Sequence, residues 1–394
     1  MLIIYIYIMS IRINLNLIAS NFSNITNVNL DKISANKISK LSGSNGQYLM
    51  ADGSTTNTSD ITNSISTVSA NLTTEIANRL AATTNTSLYS PTSAFWSRLK
   101  MNTLNDAPID KQFTSTCWSS KLKLLVVVSG SSTGGIYTSY DCKTYTNRVV
   151  TQADWRSVCW SDEKNLFVAM SRYKIATSPN GTTWTMSTVS ENRITCTIWV
   201  KELGLFIGVS NALDYMYKST NGIDWSNTQP VYVYQRGIHS VCWSPERNML
   251  VAVGQQITGG FILTSPDGIN WTERQSNTGL VIISVCWSSK FGIFVALCCN
   301  QYLNANAIMK SSDGITWTTH VIPGRYWYGI CWSDEIETFT VVGEYGSVSS
   351  IDSITWFVRN PIWIGLRNIV WVKDLFMFVS LTWNGTYANL VTIE

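Results

Sequence analysis

The sequence predicts an all-β fold built from one repeated four-stranded unit, and three observations support this prediction. A Cys-Trp-Ser phrase, or a close variant of it, recurs at intervals of 39 to 45 residues. A run of apolar residues follows each copy, such as LFVAM at 166–170. A tight-turn phrase with a closing aromatic residue, such as SPDGINW at 265–271, then leads into the end of the unit. Short strands at this period are typical of a β-propeller blade, whereas helical repeats would show an apolar spacing of about 3.6 residues.

The Cys-Trp-Ser phrase marks the first strand of each unit, and the apolar run supplies the second strand. The phrase tryptophans are Trp118, Trp160, Trp199, Trp243, Trp287, Trp332 and Trp371. A third short strand leads into the turn, where Pro presets φ, short polar side chains bond local amides and Gly accepts a positive φ. Residues that favour strands flank the turn on both sides, so the third and fourth strands form a hairpin.

Seven copies of the phrase predict a seven-bladed β-propeller. The aromatic residues that close the fourth strands number only six, namely Tyr145, Trp184, Trp225, Trp271, Trp317 and Trp356. The last unit ends at 387–394 without its own fourth strand, and SPTSAFW at 90–96 aligns with the turn phrase. We therefore predict that a strand around Trp96 completes the last blade and closes the ring. Closure would remove strand edges that otherwise promote aggregation.

The Ser-x-Asp-Gly-x-x-Trp phrase resembles the Asp-box, or BNR, repeat of sialidase-like propellers, and the resemblance covers 90–394. The family pattern carries one more residue between Asp and Trp, and Asn180, Asn221 and Ser93 replace the expected Asp or Gly. The resemblance implies that Ser and Asp bond the turn backbone and that Trp packs between blades. The residues given these structural roles are Ser265, Asp267, Gly268, Trp271, Ser311, Asp313, Gly314 and Trp317, with Trp96, Trp184, Trp225 and Trp356 at parallel positions.

Residues 1–88 are predicted to be a segment separate from the propeller at 89–394, because no Trp occurs before Trp96. Within this segment, the stretch 61–82 predicts an amphipathic helix. Its apolar residues recur at spacings of three and four: Ile61, Ile65, Val68, Leu72, Ile76 and Leu80. Such a helix could be an oligomer seam or could lie alone on the propeller.

The segment 41–54 is polar and of low complexity, LSGSNGQYLMADGS, and the predicted helix follows it. This combination resembles the shaft segments of phage tail fibres and of fibre-like proteins from large DNA viruses. The resemblance implies a homotrimeric shaft. It favours a virion protein that is assembled in the host cytoplasm.

The overall composition bears on the cellular compartment in which the protein assembles and on the partners it could bind. A formal net charge of +3 gives no footprint for nucleic acid. The apolar run at 1–9 is too short for a membrane span and lacks a positive leader, and either Met1 or Met9 could be the start. Nine cysteines, five of them directly before Trp, are expected to be reduced thiols that fill space in a protein assembled in a reducing compartment.

No complete catalytic constellation occurs, so no catalytic residue, metal or cofactor is predicted. His239 and His320 lack a metal-like partner three or four residues away. The Arg-Ile-Pro signature that the sialidase resemblance would require is also absent. A propeller glycosidase or lyase remains an alternative, and its acids would be Asp154, Glu191 and Glu344.

A candidate ligand-binding site lies in the segments that enter the first strands. These segments carry Arg156, Arg193, Arg236, Arg325 and Arg367, with His239, Tyr326, Trp327 and Tyr328 beside them. In a propeller they lie at the rim of the axial channel, where guanidinium groups could converge on one anion. The alternative is that each arginine bonds its own loop carbonyls.

The sequence therefore favours a non-enzymatic fibre-type protein whose N-terminal segment forms a homo-oligomer and whose propeller binds a glycan or a protein partner. An intracellular interaction scaffold is a further alternative.

Overall fold

The computed structural model describes 112–393 with short gaps at 132, 190–193, 211–215, 229–236, 277, 301–304, 325, 345, 360–364 and 383–389, together with four earlier strands. The earlier strands are β1 (Ser39–Lys40), β2 (Gln47–Leu49), β3 (Thr55–Asn57) and β4 (Leu99–Asn102). The chain divides into two compact units, Met1–Thr86 and Ser87–Glu394.

The first unit contains a small antiparallel sheet in the order β1-β2-β3. The helix predicted at 61–82 lies outside the described residues. None of the described residues forms a helix that is long and apolar enough to cross a membrane.

Six sheets of the second unit each contain four consecutive antiparallel strands, and we call them blades 1 to 6. Blade 1 contains β5 (Gln112–Ser119), β6 (Leu124–Gly130), β7 (Ile136–Ser139) and β8 (Thr146–Arg148). Blade 2 contains β9 (Trp155–Ser161), β10 (Leu166–Ser171), β11 (Lys174–Ser178) and β12 (Thr185–Thr188). Blade 3 contains β13 (Ile194–Val200), β14 (Leu205–Ser210), β15 (Met216–Ser219) and β16 (Ser226–Asn227).

The next three sheets follow the same order. Blade 4 contains β17 (Gly237–Ser244), β18 (Met249–Gln256), β19 (Gly259–Ser265) and β20 (Thr272–Arg274). Blade 5 contains β21 (Val281–Ser288), β22 (Ile293–Asn300), β23 (Ala305–Ser311) and β24 (Thr318–Val321). Blade 6 contains β25 (Trp327–Ser333), β26 (Thr338–Gly343), β27 (Gly346–Ser350) and β28 (Phe357–Arg359).

A further four-stranded sheet joins the two ends of the second unit, and we call it the closing sheet. It contains β29 (Leu366–Val372), β30 (Met377–Thr382), β31 (Leu390–Ile393) and β4, in that order. Strand β4 pairs antiparallel with β31, from Leu390 opposite Asn102 to Ile393 opposite Leu99. A strand from before blade 1 thus completes the last sheet, as the sequence predicted. This strand begins three residues after Trp96, which itself lies outside the described residues.

The first strands of neighbouring sheets contact one another around a closed ring, from β5 through β29 and back to β5. The first strands therefore surround the central axis, and the fold is an all-β propeller. Each second strand lies inside its own sheet, and a neighbouring sheet packs against each of its two faces, so both faces are buried. This explains why they are continuous apolar runs, such as the fully buried LLVVV of β6, instead of alternating patterns.

Repeated aromatic pairs fill the space beside these runs. A buried Phe of the second strand lies against the Cys-Trp-Ser indole of the same sheet in five sheets, with ring centroids 4.4 to 4.7 Å apart. The pairs are Trp160–Phe167, Trp199–Phe206, Trp287–Phe294, Trp332–Phe339 and Trp371–Phe378. All nine cysteines are free thiols, and burial raises the pKa of Cys331 to about 12.

The turn between the third and fourth strands is held by its own side chains. In blade 4, Ser265 Oγ accepts hydrogen bonds from the amides of Asp267 (3.3 Å) and Gly268 (2.9 Å). Asp267 Oδ1 accepts bonds from the amides of Ile269 and Asn270, both at 2.8 Å. Ser311 and Asp313 make the same set in blade 5. The Ser and Asp side chains therefore satisfy the turn amides locally.

The glycine of the turn serves both the backbone and the packing. Gly268 has a φ of +70°, and a Cβ there would lie 2.6 Å from Ile207 Cδ1 of blade 3. Gly314 has a φ of +71°, and its Cβ would lie 2.8 Å from Met249 Sδ of blade 4. Blades 1 and 6 place Cys142 (φ 57°) and Ser353 (φ 60°) at this left-handed position.

We expect Ser353→Gly to raise the free energy of unfolding by about 1 kcal/mol, because a non-glycine residue in this region costs on the order of 1–2 kcal/mol. Urea unfolding followed by tryptophan fluorescence would measure the change. The control is Ser312→Gly in the blade 5 turn, where φ is not positive. That change should lower stability by about 0.5–1 kcal/mol. Equal changes in both variants would contradict the assignment of strain to position 353.

The turn tryptophans lie between adjacent blades. Trp184, Trp225 and Trp317 donate their indole N–H to the carbonyl oxygens of Gly181, Gly222 and Gly314 at 3.0 to 3.1 Å. Each of the turn indoles Trp184, Trp225, Trp271, Trp317 and Trp356 packs against apolar side chains of its own blade and of the preceding blade.

Candidate ligand-binding site

The two ends of the propeller carry different connections, because neighbouring strands within each sheet are antiparallel. One end holds the turns from the first to the second strand and from the third to the fourth. The other end, which we call the loop face, holds the links from the second to the third strand and between consecutive sheets. The predicted site residues that the structure describes lie directly before or within the first strands, at the ends that belong to the loop face. They are Arg156, His239, Tyr326, Trp327, Tyr328 and Arg367.

Every first strand has an irregularity in its pairing close to the loop face. The extra residue lies four positions before the Cys-Trp-Ser tryptophan in each case. These residues, which we call the mouth ring, are Thr114, Arg156, Thr195, His239, Ile283, Tyr328 and Arg367. In β29, Arg367 shares the bulge with Asn368. A bulge bends its strand and redirects a side chain, so the irregularities place one such residue from each sheet around the axial channel.

Arg156 forms an ion pair with Asp154, which directly precedes β9. Its Nε and Nη2 donate to Asp154 Oδ2 at 2.9 and 2.6 Å, and the arginine side chain is 48% exposed. Asp154 Oδ1 in turn accepts a hydrogen bond from the amide of Ser131 at 2.9 Å. The positive charge of Arg156 is therefore compensated at short range, and its orientation is fixed from the loop of blade 1.

Arg367 belongs to a second polar group at the junction of blades 5 and 6 with the closing sheet. Its guanidinium lies 3.7 Å from the centroid of the Tyr328 ring, a cation–π contact. The Tyr328 hydroxyl donates to Glu344 Oε2 at 3.3 Å. Burial raises the pKa of Tyr328, although the nearby Arg367 charge acts in the opposite direction. Burial likewise raises the pKa of Cys299 to about 11, again opposed by Arg367.

His239 lies on the same ring in blade 4. Burial lowers the pKa of its imidazole, while a hydrogen bond with Gln255 opposes that shift. The Nε2 atom is buried and has no hydrogen-bond partner among the described residues. The imidazole is therefore a neutral group at pH 7.

The structure corrects the prediction for Trp327. The sequence placed this indole beside the arginines as a stacking surface, but Trp327 is only 1% exposed and donates its indole N–H to the Pro323 carbonyl at 3.1 Å. It belongs to the core between blades 5 and 6. The carbonyl of Tyr326, a residue with a φ of 55°, accepts the amide N–H of Glu344 at 3.0 Å.

The other predicted residues divide between the ring and the part of the chain that is not described. Arg156, His239 and Arg367 are on the mouth ring, and two of the proposed acids, Asp154 and Glu344, hydrogen-bond to ring residues. Arg193, Arg236, Arg325 and Glu191 lie outside the described residues.

Sequence reasoning missed Thr114, Thr195 and Ile283, although counting back four residues from each repeated tryptophan would have found them. Two of these residues have a structural partner. Thr114 Oγ1 donates to the Trp155 carbonyl at 2.7 Å, and Thr195 Oγ1 donates to the Ile238 carbonyl at 3.1 Å. Both bonds join a first strand to the first strand of the following blade.

No family model and no curated protein sequence matches the chain. Solved structures that resemble it include a streptogramin B lyase, with a TM-score of 0.59 and 11% identity over 76% of this chain and 99% of that one. The WD40 propeller domain of Doa1 matches with a TM-score of 0.55 and 12% identity over 76% and 98%. The GH74 enzyme of Niastella koreensis matches with a TM-score of 0.52 and 15% identity over 72% and 43%. At these identities the likeness shows the propeller fold alone.

Proposed function

We propose that the chain is a non-enzymatic, fibre-type virion protein whose propeller binds a glycan or a protein partner at the mouth ring. In this proposal, residues 1–88 attach and oligomerise the protein and the propeller presents the ring. The observation that carries the binding role is the contrast between the mouth ring and the rest of the repeat.

The repeat keeps similar residues where it builds the propeller. The position before the phrase tryptophan is Cys, Ile or Val in every unit, and the tryptophan itself does not change. Four residues earlier, the units carry Thr, Arg, Thr, His, Ile, Tyr and Arg. Identical structural demands favour identical residues, so a position that differs in charge, size and polarity around one ring suits a single asymmetric ligand. Ligands also commonly bind in clefts between packed elements of a fold, and the mouth ring takes one residue from each of seven adjacent sheets.

The architecture around the mouth belongs to the same proposal. The closing sheet would act as a seventh blade, because it packs against blade 1 on one side and against blade 6 on the other. The Ser–Asp turns would be Asp-box turns of the sialidase-like type, because their side chains bond the turn amides as the resemblance implies.

A sialidase-like glycosidase is the second candidate, and the contact between Tyr328, Glu344 and Arg367 favours it. The resemblance implies a tyrosine with a glutamate beside it, and these side chains supply that pair. The raised pKa of Tyr328 argues against a phenolate nucleophile at neutral pH. Release of a fluorogenic aglycone by the intact chain, lost in Tyr328→Phe, would establish the enzyme.

The oligomeric role of the N-terminal segment is tested by light scattering. We expect the full chain to have the mass of a trimer and the chain 89–394, which retains β4, to have the mass of a monomer. The reason is that the apolar positions at 61–82 would be buried only against other copies. Equal oligomeric states for both chains would contradict the fibre proposal and favour an interaction scaffold.

A further inference from the structure

We infer that the mouth ring selects an uncharged, polyhydroxylated ligand, a neutral oligosaccharide, instead of the anion that a group of arginines suggests. This inference rests on the proposed binding function and names the ligand class for the same site. Its basis is that Arg156 is paired directly with the Asp154 carboxylate, and that Arg367 lies against Tyr328, whose hydroxyl is bonded to the Glu344 carboxylate.

On the blade 2 side, Arg156 commits two of its N–H groups to a single carboxylate oxygen of Asp154. An anion that took these N–H groups would displace Asp154, whose side chain is 33% exposed and whose other oxygen is held by the Ser131 amide. The displaced carboxylate would lose its partner in a partly buried place, which is unfavourable. A sugar hydroxyl can instead accept from the remaining guanidinium N–H groups and donate to the carboxylate, so the ion pair is retained.

In blade 6 and the closing sheet, the Tyr328 hydroxyl and the Glu344 carboxylate form a donor–acceptor pair, and the Arg367 guanidinium lies over the tyrosine ring. Tyr328 therefore contacts both the positively charged Arg367 and the negatively charged Glu344. Burial keeps the His239 imidazole neutral, because it lowers the pKa. The charges of the described mouth residues thus sum to zero: Arg156 and Arg367 against Asp154 and Glu344.

Apolar surface accompanies these polar groups. Ile283 lies between His239 and Tyr328 in ring order, and both Ile283 and Tyr328 are partly exposed. A sugar ring offers hydroxyl groups at its edge and C–H groups on its face. Fixed donors and acceptors, with charges that balance among the described residues, match that combination when set beside a small apolar surface. They also provide orientation and specificity.

The test is a glycan array probed with the full chain, carrying matched neutral, sialylated and sulfated oligosaccharides. Calorimetry of the retained glycans at 50 and 500 mM NaCl follows. We expect neutral glycans to be retained, with affinities that change less than about twofold between the two salt concentrations, because no net charge is neutralised on binding. We expect Asp154→Asn to weaken binding about tenfold or more, because it removes an acceptor and releases Arg156.

Asp162→Asn is the matched control. Asp162 accepts the Trp160 indole N–H at 2.6 Å in the turn between β9 and β10, at the opposite end of the same blade. Its replacement should leave glycan affinity unchanged. Glu344→Gln should weaken binding as Asp154→Asn does, and a melting curve of each variant shows whether it remains folded.

The possible outcomes separate the two proposals. Retention of sialylated or sulfated glycans, with affinity falling tenfold or more in high salt, would overturn the neutral ligand class and leave the binding function standing. Neutral glycans bound equally by wild type, Asp154→Asn and Glu344→Gln would overturn the mouth ring as the site. Retention of no glycan would overturn the inference together with the glycan part of the proposed function.

Discussion

A chain that begins at Thr103 is expected to lose the closed propeller, whereas a chain that begins at Tyr89 should keep it. The difference is β4, the outermost strand of the closing sheet, which pairs with β31 from Leu390 to Ile393. Each lost backbone hydrogen bond contributes about 1 kcal/mol, and a domain is stable by only about 5–15 kcal/mol. We expect the melting temperature to fall by on the order of 10 °C. The exposed edge of β31 should also promote association.

The measurements are differential scanning fluorimetry and size-exclusion chromatography of the two truncated chains. Adding a synthetic peptide of residues 89–102 to the shorter chain should restore part of the melting temperature, because the peptide can supply the missing strand in trans. A peptide with its central strand residues replaced by proline is the control, since proline cannot donate to the ladder. If the shorter chain is monomeric and melts like the longer one, β4 is not needed for closure.

Side-chain contacts also cross from the closing sheet to blade 1. The Trp118 indole of β5 donates to Asp374 Oδ2 at 2.8 Å, and Lys123 Nζ lies 2.5 Å from Asp374 Oδ1. Apolar residues of β30, including Val379 and Leu381, share one core cluster with Phe113 and Leu125 of blade 1. Loss of β4 would therefore weaken a sheet that holds both ends of the ring.

The sequence was sufficient to predict the propeller and the N-terminal strand that completes the last sheet. The reason is that each unit of the repeat carries the same types of residue at equivalent positions. Packing requires an indole in every first strand and an apolar run in every second strand, and blades 1 to 6 also have a Ser-x-Asp or Ser-x-Asn turn before the fourth strand. These features repeat wherever the packing repeats. The absent fourth strand in the last unit was visible for the same reason. The sequence does not predict which carboxylate accepts the indole N–H of each Cys-Trp-Ser tryptophan. Trp160 donates to Asp162 in the turn that follows its own strand, whereas Trp199 donates to Glu163 of the preceding blade.

The candidate site was less predictable because it depends on pairing register. The three aromatic residues at 326–328 give no sign of which one lies at the channel, since a shift of one residue exchanges the two faces of a strand. The bulge in β25 places Tyr328 on the mouth ring and leaves Trp327 in the core. The ion pair of Arg156 with Asp154 likewise depends on a bulge. The two residues are only two positions apart in the sequence, and the bulge at Arg156 sets the direction of its side chain.

Acid unfolding is expected to begin in the Ser–Asp turns. Partial burial alone would raise the pKa of Asp267, but hydrogen bonds from the Asn270 and Ile269 amides outweigh burial and lower it to about 2. Asp141 and Asp313 are lowered to about 2 in the same way, and the pKa of Asp352 is also lowered. Because these pKa values lie below the ordinary 3.8, the unfolded chain binds more protons in acid. The stability from these turns is complete above about pH 4 and is lost as the pH falls towards 2.

Replacement of these aspartates by asparagine tests this expectation. Blades 2 and 3 already have asparagine, Asn180 and Asn221, at the same turn position. Asn180 Oδ1 accepts the amides of Thr182 and Thr183 at 2.9 Å, and Asn221 Oδ1 accepts those of Ile223 and Asp224 at 2.9 Å. A variant with asparagine at 141, 267, 313 and 352 should therefore keep the turns. Because its amides do not titrate, its urea midpoint should fall less between pH 4 and pH 2 than that of the wild type.

The reciprocal variant, Asn180→Asp, should fall more steeply over the same pH range, because it adds a carboxylate with the same amide donors. At pH 7 it should be at least as stable as the wild type, since hydrogen bonds to a charged acceptor are stronger than those to a neutral one. Identical acid profiles for wild type and both variants would place the acid-sensitive groups elsewhere, with Asp374 at the ring closure the next to replace. The pKa of its carboxyl is lowered too, with partial burial outweighed by the bonds from Lys123 and Trp118.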